Sequence, residues 1–290
     1  MAIIGAILGD IAGSKWEFDR PKNLDYEHVE LFTDDCSFTD DTVLTVATKY
    51  AILNNISFAD AYHKFGNEYI NAGYGEKFFE WLIFEDKQPY NSLGNGSAMR
   101  VSPIVDLSNT HAQVMSRADF SAKCTHNHPE GIKGAVVTAV CGWMAKTGAS
   151  KKEIEEYANS QYPADEYLYP LSMSLKDLRE KYEWDVTCQG SVPVAIRCFL
   201  DSENYESFLR NVLSLRCDSD TLCAIGGGIA EEYYKGTGFD NDALLRKYLD
   251  NRLYKIVKQV STEKQSGDII FTAEQTKELI MKSKKYKEKE

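Results

Sequence analysis

Three glycines, Gly5, Gly9 and Gly13, stand four residues apart in the apolar run that opens the chain, so on a helix they fall along one ridge. Each costs about 1 kcal/mol against alanine in a helix interior, so three on one face point to another backbone packed very close. The spacing predicts a helix over Ile3 to Phe18, with Asp10 and Glu17 seven apart on a face beside the ridge. Gly226-Gly227-Gly228, inside a late apolar helix, poses the same requirement. The two helices are predicted to cross there.

Helical periodicity recurs along the chain. Val43, Leu44, Val46, Ala47, Tyr50 and Ala51 repeat at three-to-four-residue steps, and so do Ile132, Val136, Ala139, Val140, Trp143 and Met144. Val194, Ile196, Phe199 and Leu200 form another set, as do Leu222, Ile225, Ile229 and Tyr233. Two-residue alternation over a strand length is not found, and no hairpin dipeptide joins apolar runs. The reading is all-α.

The chain has 290 residues and 43% hydrophobic content, enough for one large domain; no internal repeat or low-complexity tract divides it. We expect a domain over residues 1–262 and a lysine- and glutamate-rich tail over 263–290, with no chemistry assigned to the tail. Ser150 to Tyr182, polar and rich in tyrosine, reads as a peripheral insertion. The formal net charge of −11 argues against nucleic acid or an anionic membrane surface as the main partner. The apolar start lacks the cationic region and the length of a signal peptide, and no stretch approaches the ~20 apolar residues of a membrane span. Seven scattered cysteines without a C-x-x-C spacing fit reduced thiols in the cytoplasm.

The residues that can carry chemistry cluster. Phe38-Thr39-Asp40-Asp41-Thr42 opens one apolar helix and Asp218-Ser219-Asp220-Thr221 opens another. Taken singly, each is also what a helix N-cap is made of, and Thr39 or Asp40 can serve as one. Together, two helix N-termini would aim four carboxylates at one place, and ionised neighbours disfavour one another. A divalent cation removes that conflict, since Mg²⁺ or Mn²⁺ takes about six oxygen ligands from Asp, Glu, Thr hydroxyls and water. Glu17 adds a fifth carboxylate.

Two further segments carry polar groups. Asn91-Ser92-Leu93-Gly94-Asn95-Gly96-Ser97 is a loop whose glycines let backbone N–H groups converge and whose Asn and Ser side chains add donors, which suits a phosphate or diphosphate. Turn chemistry alone also accounts for it. Thr125-His126-Asn127-His128-Pro129-Glu130-Gly131 precedes the helix from Ile132, with Pro129 placed for a first helical position and His128 for its cap. The C-x-H-x-H spacing from Cys124 invites a zinc reading, but no second Cys or His pair completes it. A histidine donating to a phosphate or a sugar hydroxyl is the more economical use.

In this order, GAILGDIAGSKWE (5–17), FTDDTVLTVA (38–47), NSLGNGSAMRVSP (91–103), THNHPEGIKGA (125–135) and DSDTLCAIGGGIAEEYY (218–234) resemble the motifs of the ADP-ribosylglycohydrolase family, from near Met1 to about Gly236. The resemblance implies an all-α, single-domain orthogonal multi-helix bundle with a central cleft that binds ADP-ribose beside two Mg²⁺ or Mn²⁺ ions. It implies metal ligands at Glu17, Thr39, Asp40, Asp41, Asp218, Asp220 and Thr221, with Glu17, Asp40, Asp41 and Asp220 serving catalysis. It also implies a diphosphate loop at Asn91, Ser92, Gly94, Asn95, Gly96 and Ser97, with His126 reaching toward the ligand and Tyr74 and Gly75 lining the adenosine-ribose side. The implied substrate is ADP-ribose linked to a protein side chain or a small molecule.

Two departures stand out. Arg216-Cys217 occupies the place where relatives commonly carry two glycines, which would put bulk and a cation near the metals, and Leu93 stands where some relatives have an aromatic. Two rivals follow from the same residues: a metal-dependent phosphohydrolase acting on the diphosphate, and a silent ADP-ribose-binding relative. Helical phosphohydrolases often use a His-Asp doublet, and none of the five histidines is followed by Asp.

Overall fold

The computed structural model of the protein describes residues 1–84 and 87–260. The tail expected at 263–290 lies outside the described residues. Among them, fourteen α-helices and one 3-10 turn, with no strand, follow in order: α1 (Ala2–Ser14), α2 (Asp40–Asn54), α3 (Phe58–Glu68), α4 (Glu76–Ile83), the 3-10 turn Asn95–Ser97, α5 (Ser102–Leu107), α6 (His111–Lys123) and α7 (Pro129–Lys146). Then come α8 (Lys151–Gln161), α9 (Leu175–Lys181), α10 (Cys188–Leu200), α11 (Tyr205–Leu213), α12 (Ser219–Tyr234), α13 (Asn241–Tyr248) and α14 (Asn251–Lys258). No helix among the described residues is long and apolar enough to cross a membrane.

The centre is the antiparallel pair α1 and α12, and the glycine ridge explains it. A methyl group on Gly5 would overlap the Gly227 carbonyl, one on Gly9 the Cys223 carbonyl, and one on Gly13 the Ser219 carbonyl. Backbone therefore lies directly on backbone at three points over about two helical turns. Gly227 is the partner expected from the triplet; Gly226 instead admits the Phe208 ring, and Gly228 makes room for Ser102 and Ala2. Helices α7, α10 and α11 pack around α12, so both central helices are buried almost throughout.

The buried start of α1 needs acceptors for its free N–H groups. Asp106, at the end of α5, takes the amides of Ala2 and Ile3 at 2.8 and 3.0 Å, and Glu231 of α12 takes that of Gly5 at 2.6 Å. Negative charge is favoured at that end of the helix dipole. Burial nevertheless pushes the Asp106 carboxyl up to about 6 and the Glu231 carboxyl up to about 7.

Two expectations are corrected. Helix α1 ends at Ser14 rather than running to Phe18: the amide of Trp16 turns back to the Gly13 carbonyl at 2.9 Å, and the Ser14 hydroxyl donates to the Ile11 carbonyl at 2.9 Å. Glu17 thus leaves the helix axis and shares no helix face with Asp10. The segment 150–182 is not merely peripheral, because it forms α8 and α9 and sinks Ile154, Ala158, Tyr162, Leu171, Leu178 and Tyr182 into the common core.

Candidate active site

The end of α1 carrying Asp10 meets the N-termini of α2 and α12. Thr39 caps α2, its side chain accepting from the Asp41 amide at 3.3 Å, so the first-turn acids Asp40 and Asp41 are free for other work. Asp218 occupies the cap position of α12, but its carboxylate makes no capping bond. It accepts instead from the Asn95 side-chain amide at 2.8 Å. Asp220 accepts from the Thr221 amide at 2.9 Å, and the Thr221 hydroxyl donates to Asp41 Oδ2 at 3.1 Å.

Acids from three separate stretches of chain are thereby gathered. Carboxylate oxygens of Glu17, Asp218 and Asp220 lie within 4.8 Å of one another, and so do those of Asp10, Asp41 and Asp220. Burial, reinforced by the neighbouring carboxylates, holds Asp40, Asp41 and Asp220 well above the usual carboxylate range. Burial and the Asp218 charge push Glu17 up to about 7. The donor set fits a hard divalent cation: every group is an oxygen ligand, and Asp41 Oδ1 is buried with no hydrogen-bond partner in a pocket of like charges. Asp10 differs from the rest. Its two oxygens accept from the Thr39 amide and hydroxyl and from the Thr42 amide, so it fixes the start of α2 rather than facing a ligand.

These acids form one wall of a cleft of about 640 Å³, within the range of small-molecule sites. Glu17, Thr39, Asp40, Asp41, Asp218, Asp220 and Thr221 all line it, as do Tyr74, Gly75, Ser92, Gly94, Asn95, Gly96 and His126. Asp40 is half-buried on this wall, beside Gly73, and belongs to neither close group of acids. Two of the candidate loop residues do not reach the cleft. Asn91 lies outside the lining, its backbone amide donating to Asn127 Oδ1 at 2.7 Å, and the buried Ser97 hydroxyl donates to the Gly131 carbonyl at 2.7 Å, tying the loop to α7.

Several placements were not visible in the sequence. The Asn95 side chain is committed to Asp218 and, at 3.1 Å, to Ser191, so it links the loop to the acids. Phe18 and Trp184, both exposed, stack at the cleft with ring centroids 5.6 Å apart. Arg100 also lines the cleft and is fully buried. Arg216, expected to crowd the site, is exposed and lies outside the cleft lining. His128 caps α7 through an acceptor bond from the Glu130 amide at 3.1 Å, while the Cys124 thiol donates to the Ser121 carbonyl, so these two residues are occupied apart from His126.

Comparison with known proteins supplies the family. The sequence profile of the ADP-ribosylglycohydrolase family matches residues 1–267. ADP-ribosylhydrolase ARH3 of Mus musculus is 29% identical over 304 aligned positions, covering 80% of this chain and 82% of the mouse protein. The Homo sapiens ARH3 is 29% identical, covering 80% and 84%. Among solved structures, one described as an ADP-ribosylglycohydrolase-related protein complex superposes with a TM-score of 0.67 at 22% identity, over 88% of this chain and 93% of that one, which supports the all-helical fold. With the profile spanning every described residue, the chain belongs to the ADP-ribosylglycohydrolase family of hydrolytic enzymes.

Proposed function

We propose that the protein hydrolyses the glycosidic bond between the distal ribose of ADP-ribose and an acceptor, a protein side chain or a small molecule, with two Mg²⁺ or Mn²⁺ ions held by Glu17, Thr39, Asp40, Asp41, Asp218, Asp220 and Thr221. The observation that carries this reading is the gathering of buried acids at two helix N-termini, with Asp41 Oδ1 left without a partner. When bound, the ions would neutralise these carboxylates and supply Lewis acidity toward sugar hydroxyls and water.

The chain's own residues have separable tasks. Glu17, half-buried at the edge of the acid cluster and lining the cleft, is placed to take a proton from the attacking water. Water adds its hydroxyl, which keeps one proton, to the anomeric carbon as the bond to the acceptor breaks through an oxocarbenium-like transition state, and the proton taken up by Glu17 is the one returned to the departing acceptor. Ser92, Gly94, Gly96 and His126 line the cleft where they would position the diphosphate, and Tyr74 and Gly75, which also line it, would face the adenosine ribose. Asp10 keeps the α2 acids in place.

The net charge of −11 leaves nucleic acid and anionic membranes poor partners, and the seven free cysteines suit the reducing cytoplasm. Product analysis on a panel of arginine-linked, serine-linked and O-acetyl ADP-ribose substrates, with each metal, tests the reaction. Free ADP-ribose is the expected product. AMP would transfer the chemistry to the diphosphate, and no product from any substrate would leave only a binding protein.

A further inference from the structure

The wall of the cleft holds a buried cation without a counter-ion. Arg100 has no exposed surface, and no carboxylate pairs with it among the described residues. One terminal nitrogen, Nη2, donates to the Ser121 carbonyl at 2.8 Å and to the Thr125 hydroxyl oxygen at 2.9 Å. The guanidinium lies 4.1 Å over the Tyr62 ring, whose π face partly offsets its charge. Nε and Nη1 are buried with no partner.

The Thr125 oxygen is shared. It stands 2.9 Å from Arg100 Nη2 and 2.7 Å from His126 Nδ1, and the residue is fully buried. Arginine can only donate, so Thr125 must accept from it. The threonine's own proton then needs an acceptor, and Nδ1 is the one the arrangement provides. Were Nδ1 protonated instead, the oxygen would accept twice and the hydroxyl proton would be left buried and unpaired. The far nitrogen, Nε2, faces the loop: a Cβ on Gly96 would lie 3.2 Å from it and one on Gly94 3.6 Å. Two glycines therefore leave room beside it on the cleft wall.

We propose that Arg100 and Thr125 are positioning residues that fix His126 as the tautomer bearing its proton on Nε2, so that this N–H is offered to an anionic group held at Gly94 and Gly96. Burial and the nearby Arg100 charge push the imidazole far below its ordinary value, which keeps it neutral, in agreement with that geometry. An anion in the cleft would also provide the opposite charge that Arg100 lacks. The identity of the anion, the diphosphate of ADP-ribose, rests on the function proposed above; the tautomer does not.

The test is long-range ¹H–¹⁵N correlation on the ligand-free full chain with labelled histidine, the His126 signals assigned from the His126→Gln spectrum. At neutral pH the expected pattern is a protonated Nε2 and a bare Nδ1. Thr125→Val should abolish that preference and weaken ADP-ribose binding by roughly ten- to a hundredfold in calorimetry, and Thr125→Ser should restore both. A proton on Nδ1, or on both nitrogens, in the unsubstituted protein overturns the proposal whether or not the valine variant folds. A folded Thr125→Val protein that retains the Nε2 tautomer overturns it too. The expected tautomer with no ADP-ribose binding would support the relay and refute the ligand.

Discussion

Thr39 donates to Asp10 twice, from its backbone amide at 3.0 Å and from its hydroxyl at 2.8 Å. A carboxylate buried in the central glycine-ridged helix thereby fixes the residue that caps α2, and with it the direction of Asp40 and Asp41. Burial raises the Asp10 carboxyl to about 6, and these hydrogen bonds oppose the rise. The site acids are thus tied to the core of the molecule.

Asp10→Ala should leave the Thr39 and Thr42 amides without their acceptor. Unpaired buried donors cost about 1–3 kcal/mol each, so unfolding in urea at pH 7 should show a loss of about 2–4 kcal/mol. Manganese affinity measured by calorimetry should fall together with stability, although Asp10 is not assigned as a ligand.

Asp41→Asn should do the opposite to the metal-free protein. It removes one of several crowded like charges, so the melting temperature without metal should rise or hold. The unsubstituted protein should gain about 3 kcal/mol from a cation at a hundred times its dissociation constant, and the asparagine variant should lose most of that gain. Melting curves with chelator and with saturating Mg²⁺ read both effects. Asp220→Ala should retain no measurable turnover.

Gly9→Ala should be far more damaging than its added methyl suggests. The Cβ would strike the Cys223 backbone carbonyl, which no side-chain rotation can relieve. Forced separation of α1 and α12 should cost about 3 kcal/mol or more, read by chemical unfolding, whereas the same substitution at exposed Gly75, where nothing lies within 4 Å, should cost under about 1 kcal/mol.

Metal-free stability should fall as pH rises from about 4.5 to 7. Asp106 titrates at about 6 and Glu231 at about 7 in the folded protein, both raised chiefly by burial. Over that window the unfolded chain has already released these protons and the native state still holds them, so rising pH favours unfolding. Glu231→Gln, remote from the cleft, should flatten the slope and be worth about 3 kcal/mol at pH 8. Urea midpoints across the pH range, with chelator present, provide the check.

The sequence exposed what local chemistry dictates. Glycines four apart announced a backbone contact, and Gly227 is indeed set against Gly5; acids beside hydroxyls announced two helix N-termini that do face one cleft. What it concealed depends on the path of the chain. Seven-residue spacing puts Asp10 and Glu17 on one helix face, but the helix ends at Ser14, where a backbone turn at Gly13 stops it. The Asn95 amide read as a phosphate donor, yet the fold spends it on Asp218. Phe18 and Trp184, stacked but far apart in the chain, carried no local pattern at all. Arg100 carried no assignment in the sequence, and only the fold shows it fully buried at the cleft wall near His126.

The most direct test is anomalous diffraction from crystals grown in saturating manganese. Two peaks enclosed by Glu17, Thr39, Asp40, Asp41, Asp218, Asp220 and Thr221 are predicted. A map in which those carboxylates surround only water would contradict the account.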